Sequence, residues 1–119
     1  VSESRGLGDV YKRQQYRMAL KLFTDIINED PKWAEGWNKR ATLLFIMGNY
    51  EKSLDDIEKV LDLEPRHFGA LSGRAQIYLS YKQYEKAIDD LRKAKSIYPL
   101  IKSGENIRLI EKIIKEQQI

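Results

Sequence analysis

The chain has 119 residues, 42% of them hydrophobic and 33% charged, with a formal charge of +3 at neutral pH. That length and balance suit one small globular domain, and no stretch reaches the roughly 20 apolar residues of a membrane span. The absence of cysteine excludes disulfides and zinc–thiolate sites, and acids and bases interleave along the chain, so there is no basic arm for nucleic acid.

The first 14 residues, VSESRGLGDVYKRQ, carry two glycines and no helical apolar period. They resemble the translated adapter-like leaders found at the ends of assembled environmental sequences, and read as a non-native or disordered leader (1–14) to be kept out of functional reasoning. Asp9 is a candidate cap for a partial helix entering Val10 and Tyr11. Without this segment three bases and two acids are lost, and the charge falls from +3 to +2.

From Gln15 the chain becomes regular. Tyr16, Ala19, Leu20, Phe23, Ile26 and Ile27 recur at spacings of three and four, which predicts an amphipathic helix ending near Asn28, before Pro31. The next unit (32–65) begins with a helix burying Trp33 or Trp37, Ala41, Leu44 and Leu43. It turns at Gly48-Asn49, then runs from about Tyr50 to Leu63 with Leu54, Ile57, Val60 and Leu61 inward.

The following unit (66–99) repeats this. Phe68, Leu71, Ala75 and Tyr78 are expected inward on its first helix, and Tyr84, Ala87, Ile88, Leu91 and Ala94 on its second; Lys82-Gln83 stands in place of the glycine turn. A last helix, about Gly104 to Gln117, carries Ile107, Leu109, Ile110, Ile113 and Ile114 in a different phase, and reads as a capping helix within 100–119.

The units are copies of one pattern. Pro31, Pro65 and Pro99 lie 34 residues apart, as do Tyr16, Tyr50 and Tyr84; Arg40-Ala41 recurs as Arg74-Ala75, and Asp55-Asp56 as Asp89-Asp90. Such a period signals stacked helix pairs. The segment 15–31 is then the second helix of a repeat whose first helix is not in the sequence. Its Ala19, Leu20 and Phe23 face is expected to be partly uncovered, and that end is a candidate for self-association or for continuation into further repeats.

With these residues in view, the chain resembles tetratricopeptide repeat proteins, of a mainly bacterial type in its wording GWNKRAT and HFGALSGRA, from Gln15 to about residue 117. Trp37, Ala41, Tyr50 and Pro65 match the family pattern, as do Leu71, Ala75, Tyr84, Ala87, Ala94 and Pro99. Ser53, Val60 and Lys82 depart from it, which bears on how closely the helices approach and not on the architecture. The expected fold is therefore all-α: an antiparallel helix-pair solenoid of two full repeats, flanked by a half repeat and the capping helix.

The resemblance implies a protein-interaction scaffold that takes a peptide or helix of a partner protein in the concave groove formed by first helices. It places Glu35, Asn38, Lys39, Thr42, Phe45 and Ile46 on that face from one repeat, and Gly69, Ser72, Gly73, Gln76, Leu79 and Ser80 from the next. Asn106 and Ile110 are expected from the last helix. One subgroup of the family grips a terminal carboxylate with converging cations; Asn38 and Lys39 facing Gly69, Ser72, Gly73 and Gln76 do not make such a clamp. An assembly module of a larger repeat protein and an RNA-binding helical repeat are the alternatives weighed.

Arg40 and Arg74 read as structural, each expected to pair with an acid on the second helix of its own repeat, Asp56 and Asp90. No enzymatic activity, cofactor, metal, nucleic-acid or membrane partner is expected. His67, the only histidine, lies in a connection beside Pro65 and Arg66, where a solvated or capping role fits. The adjacent aspartates point about 100° apart on their helices and make poor dyads or metal sites.

Overall fold

A computed structural model describes the backbone of residues 2–100 and 104–118, with side chains from Gly6 onward. Within that span the chain is helical throughout: α1 (Ser2–Glu29), α2 (Ala34–Ile46), α3 (Tyr50–Leu63), α4 (Phe68–Ser80), α5 (Tyr84–Ile97) and α6 (Gly104–Gln117). The helices α2/α3 and α4/α5 form antiparallel pairs, and each helix otherwise packs chiefly on its neighbours in sequence. The radius of gyration is 16.7 Å, against about 14 Å for a compact domain of this length, so the array is open.

Turn chemistry sets the boundaries. At the end of α2 the Gly48 amide donates to the Phe45 carbonyl (2.9 Å) and the Asn49 amide to Leu44 (2.8 Å), closing the helix with Gly48 at φ 80°. This is the Schellman arrangement, which requires a left-handed residue. Asn49 then caps α3 by accepting from the Lys52 amide. One repeat later the same closure is made by Lys82 and Gln83 to Leu79 (3.0 Å) and Tyr78 (2.8 Å), with Lys82 at φ 58°.

Lys82 therefore adopts the left-handed backbone that glycine supplies at position 48, at a cost of about 1 kcal/mol. The substitution Lys82→Gly is expected to raise stability by about 0.5–1 kcal/mol, after the added entropy of the unfolded glycine is subtracted. Thermal denaturation checks this, and a lowered midpoint would show that the lysine side chain more than offsets its backbone strain.

The core forms where helices cross. One cluster joins Ala34, Ala41, Ile57, Val60, Ala70 and Ile77; a second joins Ala75, Ala87, Ile88, Leu91, Ile107 and Ile110. Small side chains at 41, 75 and 87 allow close helix approach, and the larger ones fill the space beside them. The departures at Ser53 and Val60 do not loosen this packing. Both are buried, and the Ser53 hydroxyl donates to the Ala41 carbonyl (2.7 Å) across the helix pair.

Several sequence expectations change. Trp37 packs against the core and donates from Nε1 to the Pro31 carbonyl (2.9 Å), whereas Trp33 is exposed. Phe68, expected inward, lies at the start of α4 and stacks on Tyr98 at 5.3 Å, outside the core. On α6, Ile107 and Ile110 are buried and Leu109 is exposed. Ile113 and Ile114 are half-buried.

Helix α1 runs from Ser2 through Gln15 without a break, although Gly6 to Gln15 are all exposed. From Tyr16 the helix packs on α2: Ala19, Leu20 and Phe23 are half-buried and Ile27 is buried, while Met18 and Leu22 face outward. Val1, residues 101–103 and Ile119 lie outside the described residues.

Candidate partner-binding groove

The cavity that the expected groove residues share lies between α2 and α4, with α3 as its floor, and has a volume of about 230 Å³. Asn38, Thr42 and Phe45 line it from α2; Gly69, Ser72, Gly73 and Gln76 line it from α4. Seven of the residues expected on the concave face thus line one cavity, three from α2 and four from α4. Thr42 also lines the wall, with its hydroxyl donating to the Asn38 carbonyl (3.0 Å).

Others in the expected set stand elsewhere. Glu35 is at the junction between repeats, where its carboxylate bonds Nε2 of His67. Lys39 is exposed and does not line the cavity; Leu79 packs against the second core cluster. Ser80 bonds back to the Gln76 carbonyl (3.1 Å), Ile46 is exposed, and Ile110 is buried in the core. Asn106 is exposed on α6 and does not line the cavity.

The floor was not anticipated. Ser53 and Ile57 of α3 and Ile77 of α4, all buried, lie beneath the groove where the core reaches it from below. The apolar phase of α3 marks Ile57 as inward but does not distinguish a floor from a core.

No charged side chain lines this cavity. Gly69 and Gly73 stand one turn apart on α4; the His67 ring covers Gly69, at 3.2 Å from where its Cβ would stand, and Gly73 is open. A Cβ at Gly73 would meet only Ile57 Cδ1, at 3.9 Å, an ordinary contact. Nothing in the packing therefore demands glycine there, although glycine within a helix costs about 1 kcal/mol relative to alanine. The Ser72 hydroxyl is buried without a hydrogen-bond partner among the described residues. At the mouth Phe45 packs on Tyr50 (5.3 Å), which meets Tyr81 edge-on (6.1 Å), giving the groove an aromatic end.

The residues read as structural behave differently from the groove. Arg40 holds Asp56 through Nε and Nη2, both at 2.8 Å, and Arg74 holds Asp90 through the same atoms at the same distances. Each aspartate is buried. Arg74 also donates from Nη1 to Glu58 Oε1 (2.7 Å) on the preceding helix. Hydrogen bonding to Asp90 first, then charge, raises the Arg74 guanidinium further above its ordinary range than burial lowers it; the same holds for Arg40 with Asp56. Pro65 and Pro99 sit exposed in the connections, while Tyr50 and Tyr84 open α3 and α5 half-buried.

His67 is the N-cap of α4: its Nδ1 accepts from the Ala70 amide (3.0 Å) and its Nε2 faces Glu35. This fixes the tautomer with the proton on Nε2 and ties the start of α4 to the start of α2. Among the described residues no cluster of three or more histidine and acidic side chains is placed to hold a metal ion, and no helix is long and apolar enough to cross a membrane.

Sequence patterns of the tetratricopeptide repeat match residues 34–67 and 69–99, more than half of the chain. The chain belongs to the tetratricopeptide repeat family. A TPR repeat-containing protein of Rhizobium etli is 60% identical over 53 residues, covering 44% of this chain and 26% of that protein. Hsp70-Hsp90 organizing protein 1 of Glycine max is 33% identical over 66 residues, covering 55% and 12%. The chain thus matches about a quarter or less of the length of these curated relatives. Among solved structures, the first TPR of Spaghetti (RPAP3), bound to an HSP90 peptide, superposes with a TM-score of 0.79 at 19% identity, covering 91% of this chain and 86% of that one. This likeness carries the TPR fold.

Proposed function

We propose that this TPR array is a non-catalytic protein-interaction scaffold whose α2–α4 groove takes an uncharged, apolar-faced peptide or helix of a partner protein. The observation that carries this reading is a 230 Å³ cavity with no charged lining residue among the described residues, floored by isoleucines and bordered by open α4 backbone at Gly73. Phe45 supplies an apolar anchor at its rim, and Asn38 and Gln76 offer amides that pair with backbone donors and acceptors alike. The Spaghetti TPR and the organizing proteins are similar arrays, the former bound to an HSP90 peptide. Here the groove brings together no cations, so an acidic C-terminal peptide is not its partner.

The test is built into the glycine. A Cβ at Gly73 makes only an ordinary contact with Ile57, and Gly73 lines the groove, so Gly73→Leu is expected to fold, to fill part of the groove and to gain up to about 0.5–1 kcal/mol in stability from helix propensity. Affinity capture from cells of the source organism, with the parent and Gly73→Leu chains side by side, is expected to retain a partner only on the parent. Equal retention by a folded Gly73→Leu chain would remove the groove from the interaction.

A further inference from the structure

A second cavity, of about 550 Å³, lies on a different face of α2, where α1, α2 and α3 meet beside Arg40. The molecule contains its own comparison for this place, because every lining residue has a counterpart 34 positions on. Around Arg74 that counterpart is filled by the chain itself. Glu58 sets a carboxylate on Arg74 Nη1 at 2.7 Å. The Tyr78 ring centroid lies 5.8 Å from the Arg74 guanidinium and 5.7 Å from Lys86 Nζ, so two cations contact one ring.

Around Arg40 the same positions are held by smaller and less acidic residues. Thr24 replaces Glu58, and Arg40 Nη1 reaches its hydroxyl only at 3.3 Å, a neutral and long contact. Leu44 replaces Tyr78, and Arg17 replaces the glutamate at position 51. Arg40–Asp56 and Lys52 are retained from the pattern, as Arg74–Asp90 and Lys86. The first cavity is lined by three cations, Arg17, Arg40 and Lys52, against two acids, Asp55 and Asp56, and it lacks the carboxylate that Glu58 sets on Arg74 Nη1, while its arginine is equally well anchored.

We propose that the cavity beside Arg40 binds an aromatic carboxylate, its carboxylate on Arg40 Nη1 where Glu58 meets Arg74 and its ring over the position of Leu44, where Tyr78 lies one repeat on. Lys52 covers the ring as Lys86 covers Tyr78, and Arg17 adds a cation at the mouth. The volume is that of a small-ligand pocket. The bidentate Asp56 holds the guanidinium in place before binding, so its third nitrogen is presented without reorganisation. This site and the α2–α4 groove are independent, and either reading stands if the other fails.

Calorimetry with 3-(4-hydroxyphenyl)propionate and its neutral amide tests the proposal on the full chain. Saturable 1:1 binding of the acid is expected, weakened by salt, with the amide at least about tenfold weaker. Thr24→Glu, which copies the second repeat and sits at a half-buried helix surface, is expected to abolish binding while preserving the circular dichroism of the parent. Arg17→Glu, at an exposed position, is expected to weaken it by about tenfold. Absence of saturable binding of the acid up to about 10 mM, equal binding of acid and amide, or undiminished binding by Thr24→Glu would each overturn it.

Discussion

Replacing Arg74 with methionine is expected to lower the unfolding free energy by about 3–5 kcal/mol, measured as a shift in urea midpoint at constant slope. The methionine fills much of the arginine's volume, so the loss is electrostatic. Asp90 keeps its burial and loses both of its 2.8 Å bonds, leaving an uncompensated carboxylate between α4 and α5. The bond to Glu58 on α3 goes as well, so the mutation weakens the seam within a repeat and the seam between repeats together. Arg40→Met is expected to cost less, because its link to the preceding helix is only the long contact to Thr24. Adding Asp90→Leu to Arg74→Met should recover most of the loss, since removing both partners of a buried pair is far cheaper than removing one. An unchanged midpoint for Arg74→Met would show that the pair contributes nothing to the fold.

Leu71→Ala is expected to cost about 3 kcal/mol, within the range for a leucine whose site cannot collapse. Leu71 has no accessible surface and stands where Trp37 stands in the preceding repeat. Smaller than tryptophan, it already fills that place with less material. The surrounding positions are held by helix backbones and cannot move in to close the void. In a domain whose total stability is of the order of 10 kcal/mol, a loss of this size is a large fraction. The check is chemical denaturation of Leu71→Ala beside Leu71→Met; a methionine variant as unstable as the alanine variant would point to shape and not to the missing volume.

The 34-residue period made the helix boundaries legible, since the same turn residues recur at each step; α3 runs from Tyr50 to Leu63, the bounds read from the sequence. It also exposed the pairing of Arg40 with Asp56 and Arg74 with Asp90, because a cation and an acid that repeat together sixteen residues apart can meet across a helix pair. Periodicity served less well where one helix is buried on two faces. Ile77 lies off the stripe that contains Leu71, Ala75 and Tyr78, yet it is buried, because α4 is flanked by second helices on both sides. The two tryptophans could not be ranked from spacing alone. Only the Trp37 indole reaches the Pro31 carbonyl.

The groove was legible on its walls and not on its floor. Asn38, Thr42, Phe45, Ser72 and Gln76 follow from their places on first helices, whereas Ile57 is a core residue of α3 that the cavity also reaches. Glu35 left the expected set for a reason that spacing cannot carry: His67, 32 residues later, needs a partner for Nε2 once Nδ1 has capped α4.

That cap ties the starts of α2 and α4 together, and these two helices are also the walls of the groove. The two repeats meet through the core cluster of Ala34, Ala41, Ile57, Val60, Ala70 and Ile77 and through two polar contacts, His67 with Glu35 and Arg74 with Glu58, and these same contacts set both the angle between repeats and the spacing of α2 and α4. The curvature of the array and the width of the groove are therefore one mechanical coordinate. On the proposed reading, a segment seated between α2 and α4 would act as a wedge that fixes this coordinate.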